Sequence, residues 1–319
     1  MAARAVHVEA LEAPRLHLRR LMDDDIDGLV KGANNVNVSR YTALIPYPYT
    51  NADARDFLVG VLLDRNANSR HVFGIETRIG GDLIGCIEIN MGTGSDTFGY
   101  WFAEPHWGQG YASEAILAMQ RFAFQVAGKK ELCAAVHPDN PASTRVLEKT
   151  GFVYDRIEDG LGGRCKDVQA QVFVLKAEDW FAREATKPKL LVSAVALIDA
   201  AGQVLMATRP AGKPLAGLWE FPGGKVHEDE SPEQALVREL REELGIGVQE
   251  SDLNPLTFAS HAYEHFHLIM PLFACRVWQG EVTALEGQSL KWVKPSELDA
   301  LPMPPADIPL VTVLQALIP

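Results

Sequence analysis

The sequence predicts two domains, each mixing helices with strands. Three observations carry this expectation. The chain has 319 residues, 47% of them apolar, which is enough for two cores of ordinary size. The alternating run VQAQVFVLK (Val168 to Lys176) reads as a closing strand and gives way to the polar stretch AEDWFAREATKPK. A fresh strand signal then opens in LLVSAVALIDAAGQVLMATRP, with Ala201-Gly202 as its turn. The expected division is a first domain over residues 1–178, a linker over 179–187 and a second domain over 188–319.

Charge narrows the function classes. The formal net charge is −12, and charged residues make up 23% of the chain, close to the globular average. Residues 1–180 carry 19 Lys/Arg against 24 Asp/Glu, and residues 181–319 carry 11 against 18. Neither half offers the basic face that a nucleic-acid polymer or an anionic membrane requires. A nucleotide substrate stays open, because a bound divalent metal reverses the local field. Cys86, Cys133, Cys165 and Cys275 form no CxxC pair and are expected as buried free thiols. The longest apolar run, Leu190 to Ile198, is interrupted by Ser193 and is too short to span a bilayer. No apolar signal core leads the sequence, so a soluble, reducing, cytoplasmic setting is expected. Oligomeric state is left open.

In the first half, FGYWFAEPHWGQGYASEAILAMQRFAF has a strand-like start, a glycine-rich turn and then a helix. Ala115, Ile116, Met119, Phe122, Ala123 and Val126 keep helical spacing, and Gly128 ends the run. Gly108, Gly110 and the small Ala112 leave the backbone bare just before the helix. Such a turn points N–H groups at an anion, although a plain strand–helix connection has the same look. Downstream, HPDNPASTRVLEKTGF gives a helix with Asn140 as N-cap, Pro141 in its first turn and Gly151 as its stop.

Together these two segments resemble the GNAT N-acetyltransferases. WGQGYA matches the pyrophosphate-binding motif in the form used by the ribosomal-protein N-terminal (Rim) branch. Asn140-x-x-Ser143 followed by Gly151-Phe152 matches the late motif near the pantetheine arm. LEAPRLHLRRLMDDDIDGL fits that branch's first strand and helix. The resemblance covers residues 10–178 and implies an acetyl-CoA site, with Trp107, Gly108, Gln109, Gly110, Tyr111 and Ala112 at the diphosphate and Asn140 and Ser143 on the cofactor. It implies acyl transfer to an amine acceptor that the sequence does not identify. The tyrosine acid of many GNATs is replaced by Leu147, which leaves Ser143 to assist the thiolate. Glu88, Glu104 and His106 stand as candidate bases, none preferred.

The second half holds GLWEFPGGKVHEDESPEQALVRELREELGIGV. Ser231 is a helix N-cap, Pro232 takes the first helical position, Gln234 completes a capping box, and Gly245 stops the helix after Leu244. Glu239, Glu242 and Glu243 then share one helical face, where they repel one another. A compensating cation is one explanation and a solvated acidic face, relieved by Arg238 and Arg241, is the other. Oxygen-only donors at this density suit Mg²⁺ or Mn²⁺.

The stretch matches the Nudix box, G-x(5)-E-x(7)-R-E-U-x-E-E-x-G-U, at Gly224, Glu230, Arg238, Glu239, Leu240, Glu242, Glu243, Gly245 and Ile246. The resemblance implies a loop–helix–loop that binds metal and a diphosphate, with Glu239, Glu242 and Glu243 as ligands, helped by the Gly223 carbonyl and Glu286. Arg238 and Glu230 would hold the glutamates in place. Water would attack the diphosphate, with Glu239 as first choice of base and Glu286 as second. EFPGGK, Arg209, Glu286–Gln288 and PMPPADIPL extend the resemblance to the MutT branch over residues 188–319, which implies an 8-oxo-dGTP diphosphatase that sanitises the nucleotide pool. Arg209 would contact phosphate or sugar, and Trp219 and Phe221 would line the base pocket. Where the best-known MutT proteins read the base with Asn, this chain has Asp307. PADIP also resembles the CTP pyrophosphohydrolase branch. The fold implied is α/β (α+β): a GNAT acyltransferase fold, largely antiparallel and splayed, then a Nudix sheet sandwiched between helices. Besides two catalytic halves, a GNAT half that only senses acyl-CoA is a second reading.

Overall fold

The computed structural model describes residues 8–66, 69–91, 97–210 and 212–318. The chain divides into two compact units, Met1–Ala185 and Thr186–Pro319. The first unit contains strands β1 (Ala10–Glu12), β2 (Leu16–Arg19), β3 (Arg70–Thr77), β4 (Leu83–Asn90), β5 (Phe98–Phe102), β6 (Glu131–Val136), β7 (Val153–Asp159) and β8 (Gln169–Lys176). Its helices are α1 (Ile26–Ala33), α2 (Val36–Ser39), α3 (Asn51–Asn66), α4 (Tyr111–Arg121), α5 (Pro141–Lys149) and α6 (Ala177–Thr186).

Strands β1 to β5 pair antiparallel in chain order, and β6, β8 and β7 form a second antiparallel sheet with β8 in the middle. A parallel bridge from Thr97 to Cys133 joins the two sheets. Beyond it β5 and β6 belong to separate sheets, which is the splay expected of this fold. Strand alternation sends Phe73, Ile75, Ile87 and Ile89 to the face where Ala115, Ile116, Met119 and Phe122 of α4 are buried. Val72 and Cys86 join Leu29, Ala33, Ala54 and Leu58 of α1 and α3 in a separate cluster. One expectation fails at the end of α4. The chain closes there in a π turn, Phe122–Val126, and Val126 is exposed rather than on the buried face.

The segment expected as a linker carries a helix. Residues 177–186 are helical, and Trp180 is 1% exposed, packed in the first unit's core with its ring 5.5 Å from that of Phe124. Arg183 of the same helix donates to the Thr150 carbonyl at 2.7 Å and to Gln120 Oε1 at 3.1 Å. The charged residues that read as linker are the solvated face of an amphipathic helix with a single aromatic anchor.

The second unit contains β9 (Lys189–Leu197), β10 (Val204–Thr208), β11 (Trp219–Glu220), β12 (Gly223–Lys225), α7 (Pro232–Leu244), β13 (Asn254–Ala262), β14 (His267–Cys275), β15 (Leu290–Val293) and α8 (Ile308–Leu317). Its larger sheet runs β12-β9-β14-β13, parallel only between β9 and β14, and a smaller one runs β11-β10-β15. The alternation along β9 divides the core. Ala194, Ala196 and Ile198 pack with Leu310, Val311 and Leu314 of α8, whereas Val195 and Leu197 pack with Leu236, Leu240 and Leu244 of α7. The unit is thus a mixed sheet between helices, as expected. All four cysteines are buried free thiols. Among the described residues no helix is long and apolar enough to cross a membrane.

Leu240 is fully buried under the acidic face of α7. Leu240→Ala removes that packing, and we expect a loss of about 2–5 kcal/mol in the second unit's stability, read by urea denaturation.

Candidate active sites

Helix α7 positions the second unit's polar side chains. Ser231 accepts from the Gln234 N–H at 3.1 Å, Gln234 returns the bond to the Ser231 N–H at 3.0 Å, and Gly245 closes the helix at φ 69°. With both ends fixed, Arg238 becomes the hub of the acidic face. Its Nε donates to Glu230 Oε2 at 3.1 Å and one terminal nitrogen to Glu230 Oε1 at 2.6 Å. The same nitrogen reaches the Lys225 carbonyl at 3.1 Å, and the other reaches Glu239 Oε1 at 2.8 Å and Glu242 Oε2 at 3.3 Å. Arg238 and the His227 N–H together hold the Glu230 carboxyl down at about 2. Glu239 lies against Gly224, where a Cβ would overlap its carboxylate, and a Cβ on Gly223 would overlap the Ser193 carbonyl.

Glu243 stands outside the Arg238 network. Burial pushes its carboxyl up to about 7, and the charges of Glu239, Glu286 and Glu220 push the same way while Lys213 opposes them. Glu286 reaches this neighbourhood on a loop fastened to the end of α7. The Leu285 N–H donates to the Glu243 carbonyl at 3.0 Å, Gln288 Nε2 to the same carbonyl at 2.9 Å, and the Glu286 N–H to Gln288 Oε1 at 2.8 Å. Among the described residues no three His, Cys, Asp or Glu side chains converge into a closed cage. The donor chemistry nevertheless fits a hard divalent cation. These are carboxylate oxygens crowded with too little positive charge beside them, so that burial and then repulsion raise the Glu243 carboxyl.

The remaining second-unit candidates fall in two places. Arg209 pairs with Glu220 and donates through Nε to the Pro214 carbonyl at 2.8 Å. Asp307 is buried and accepts from the Phe221 N–H at 3.3 Å. Burial, and then the Glu220 charge, drives its carboxyl far above the ordinary range. Phe221 is itself a core residue, and Trp219 is half-buried at the edge of the same cluster. Sequence reasoning missed Tyr263. Burial and then the charge of Asp307 raise its phenol. An aromatic in a polar loop gave no signal of this.

In the first unit the two splaying strands each lead into a helix, β5 into α4 and β6 into α5. A crevice beyond the ends of parallel strands is where open α/β sheets place ligands. The turn before α4 holds Gly108 at φ 74° and Gly110 at φ 83°, both in the left-handed region that favours glycine. No side chain caps α4, which leaves its leading N–H groups for an anion. Trp107 is exposed and anchors this turn by donating to the Phe102 carbonyl at 2.7 Å, and Gln109 donates to the Pro105 carbonyl at 3.0 Å. Arg15, which the sequence did not single out, donates to the Gln109 carbonyl at 2.7 Å and to Glu114 at 2.6 Å, and lies 4.4 Å from the Tyr111 ring centre. Ala112 follows in the first turn of α4.

At α5, Asn140 Oδ1 caps the helix by accepting from the Ser143 N–H at 3.2 Å. The Ser143 hydroxyl lies 2.9 Å from the Tyr100 hydroxyl of β5. Burial lifts that phenol to about 12, against the opposing pull of Ser143. Leu147 is fully buried in the core, so nothing at that position serves as an acid. Of the three candidate bases, Glu88 pairs with Arg70 at 3.3 Å and Glu104 accepts from Asn35 at 2.6 Å and Asn37 at 2.9 Å. The His106 ring lies tilted against that of Tyr111, with ring centres 6.3 Å apart.

Fold and sites together define a chain of two enzyme domains, an acyltransferase-type fold and a diphosphate hydrolase. Residues 15–153 match the family model of the acetyltransferase (GNAT) domain, and residues 193–313 match that of the NUDIX domain. The second unit is 46% identical over 131 residues to a CTP pyrophosphohydrolase of Escherichia coli (strain K12), an alignment covering 40% of this chain and 94% of that protein. It is also 40% identical over 101 residues to an 8-oxo-dGTP diphosphatase of Proteus vulgaris, covering 32% and 88% respectively. The first unit is 31% identical over 149 residues to the uncharacterized N-acetyltransferase YoaA of Bacillus subtilis (strain 168), covering 44% and 81%. The chain belongs to the Nudix hydrolases through its second unit and to the GNAT acetyltransferases through its first.

The Glu230–Arg238 pair predicts a pH signature. Folding lowers the Glu230 carboxyl from 4.5 to about 2, so its contribution to stability is fully present above the ordinary value and is lost as pH falls toward 2. The stability difference between wild type and Glu230→Gln should therefore shrink steadily between pH 5 and pH 2.5. A constant difference would show that the pair does not act through this charge.

Proposed function

We propose that the second unit is a Mg²⁺- or Mn²⁺-dependent pyrophosphohydrolase that converts a nucleoside triphosphate to the monophosphate and pyrophosphate, with 8-oxo-dGTP as substrate. Glu239, Glu242, Glu243, Glu286 and the Gly223 carbonyl form the metal's donor set. When bound, the ion neutralises phosphoryl charge and makes a water more acidic. Arg238, steadied by Glu230, fixes where Glu239 and Glu242 present their oxygens. Glu239 has Oε1 engaged by Arg238, which leaves Oε2 to take the proton of the attacking water. Arg209, anchored on Glu220 and the Pro214 carbonyl, is oriented toward substrate phosphate or sugar.

The burial of Asp307 carries the base assignment. Burial favours the protonated form of this carboxyl, and a protonated carboxyl offers one donor and one acceptor, as an asparagine amide does. The change from Asn therefore preserves the hydrogen-bonding pattern that an oxidised guanine edge requires. A cytosine nucleotide is the second reading, favoured by the similarity to a CTP pyrophosphohydrolase. The same acid would donate to N3 of cytosine and accept from its 4-amino group. Hydrolysis of 8-oxo-dGTP, dGTP, CTP, dCTP and 5-methyl-dCTP with Mg²⁺ separates the two. Asp307→Asn should keep kcat/KM on the preferred substrate within a few fold, Asp307→Ala should lower it by roughly ten- to a hundredfold, and Glu239→Gln should abolish turnover. A loss with Asn as deep as with Ala would show that an ionised Asp307 is needed.

For the first unit we infer acetyl transfer from acetyl-CoA to an amine. Bound acetyl-CoA supplies the thioester. The amides from Trp107 to Ala112 hold its diphosphate, and Asn140 and Ser143 meet the arm, with the Ser143 hydroxyl placed to protonate the departing sulfur. Acetyl-CoA consumption with a panel of amines tests this. Turnover that falls at least tenfold in Ser143→Ala is expected, and saturable acetyl-CoA binding with no transfer to any acceptor would make this unit a sensor.

A further inference from the structure

Lys213 is a cation near the acidic face that neither family motif uses. It lies between β10 and β11, on a segment shaped by its own backbone: the Gly217 N–H donates to the Arg209 carbonyl at 3.0 Å, and Leu215 is held at φ 64°. Arg209 pins the next residue by donating to the Pro214 carbonyl at 2.8 Å. Lys213 Nζ is thereby brought to 2.8 Å from Glu286 Oε2. Glu286 is equally fixed on the opposite side, through the bonds from Leu285 and Gln288 to the Glu243 carbonyl. Two separately anchored loops are thus bridged by one ion pair at a proposed metal ligand. The ammonium also feels the charge of Glu243, so it stands where the acidic face is most in need of a cation.

We propose that Lys213 is a built-in counter-cation that competes with the divalent metal for Glu286 and so sets the metal concentration at which the hydrolase loads. The inference rests on the metal-site reading above, in which Glu286 is a ligand. The ammonium and a divalent ion draw on the same carboxylate charge and repel each other, so loading the ion at Glu286 weakens the pair. Both side chains are about half exposed, 52% for Lys213 and 40% for Glu286, so the pair is screened and its competition is modest.

The test is a Mn²⁺ titration of the full chain without nucleotide, with free Mn²⁺ read by electron paramagnetic resonance. Wild type is compared with Lys213→Met, Lys213→Arg, Glu286→Gln and the Lys213→Met/Glu286→Gln pair. Lys213→Met should bind Mn²⁺ about two- to fivefold more tightly than wild type, and Lys213→Arg should resemble wild type. In the Glu286→Gln background, Lys213→Met should tighten binding clearly less than it does in wild type, because only its weaker effect on Glu243 is left. Equal tightening in both backgrounds would reduce Lys213 to a diffuse charge and overturn the proposal. So would unchanged or weaker binding by Lys213→Met while Glu286→Gln weakens binding, which would leave the metal site itself standing. If Glu286→Gln binds Mn²⁺ as wild type does, or no form binds it, the assignment of Glu286 as a ligand fails and the proposal falls with it.

Discussion

Carboxylates crowded on one face of a short helix repel one another, and the second unit is arranged around that repulsion. Helix α7 can present Glu239, Glu242 and Glu243 together because its buried side is secured first, by Leu236, Leu240 and Leu244 under the sheet and by caps at both ends. Arg238 then draws three carboxylates and a carbonyl onto one planar guanidinium, whose fork suits several acceptors at once in a way an ammonium does not. The glycines before the helix have the same cause. Gly224 is bare because the Glu239 carboxylate occupies the space a side chain would take. Glu243, outside the Arg238 network, feels the charges of Glu239, Glu286 and Glu220 with only Lys213 to oppose them.

The first unit solves a different problem with the same element, the start of a helix. Its two sheets are joined at Thr97 and Cys133 and then part, and each parting strand delivers a helix N-terminus. The two starts are treated differently. That of α4 is left without a side-chain cap behind two left-handed glycines, which suits an anion. That of α5 is capped by Asn140, so its first turn is closed and Ser143 is free to bond with Tyr100 instead. The two helix starts therefore differ in what they leave open: backbone N–H groups at α4 and a side-chain hydroxyl at α5.

Much of this was legible in the sequence, for physical reasons that also explain the rest. Caps and stops are local, so Ser231, Gln234, Gly245, Asn140 and Gly151 mark helix ends without any tertiary knowledge. The three glutamates are legible because helical periodicity alone puts them on one face. PADIP shows where Asp307 stands in the chain, but nothing in it reveals that the carboxyl is buried and raised by that burial. Tyr263, Arg15, Tyr100 and Lys213 were invisible because each matters through a partner distant in the chain. Glu114 lies 99 residues from Arg15, and Glu286 lies 73 from Lys213. The helix within the segment expected as linker was hidden in the same way: a segment rich in charge looks dispensable until Trp180 is placed in the core.

That aromatic bears on how the protein can be taken apart. Trp180 fills the core of the acetyltransferase unit, yet it follows the last strand of that unit and stands only nine residues before the hydrolase's first strand at Lys189. A truncation at the end of β8 would leave an indole-sized void beside Phe124 and strip Arg183 from Thr150 and Gln120. The first enzyme's covalent territory therefore extends through α6, almost to the start of the second, and dissecting the pair leaves only the few residues around Lys187 and Pro188 as a seam.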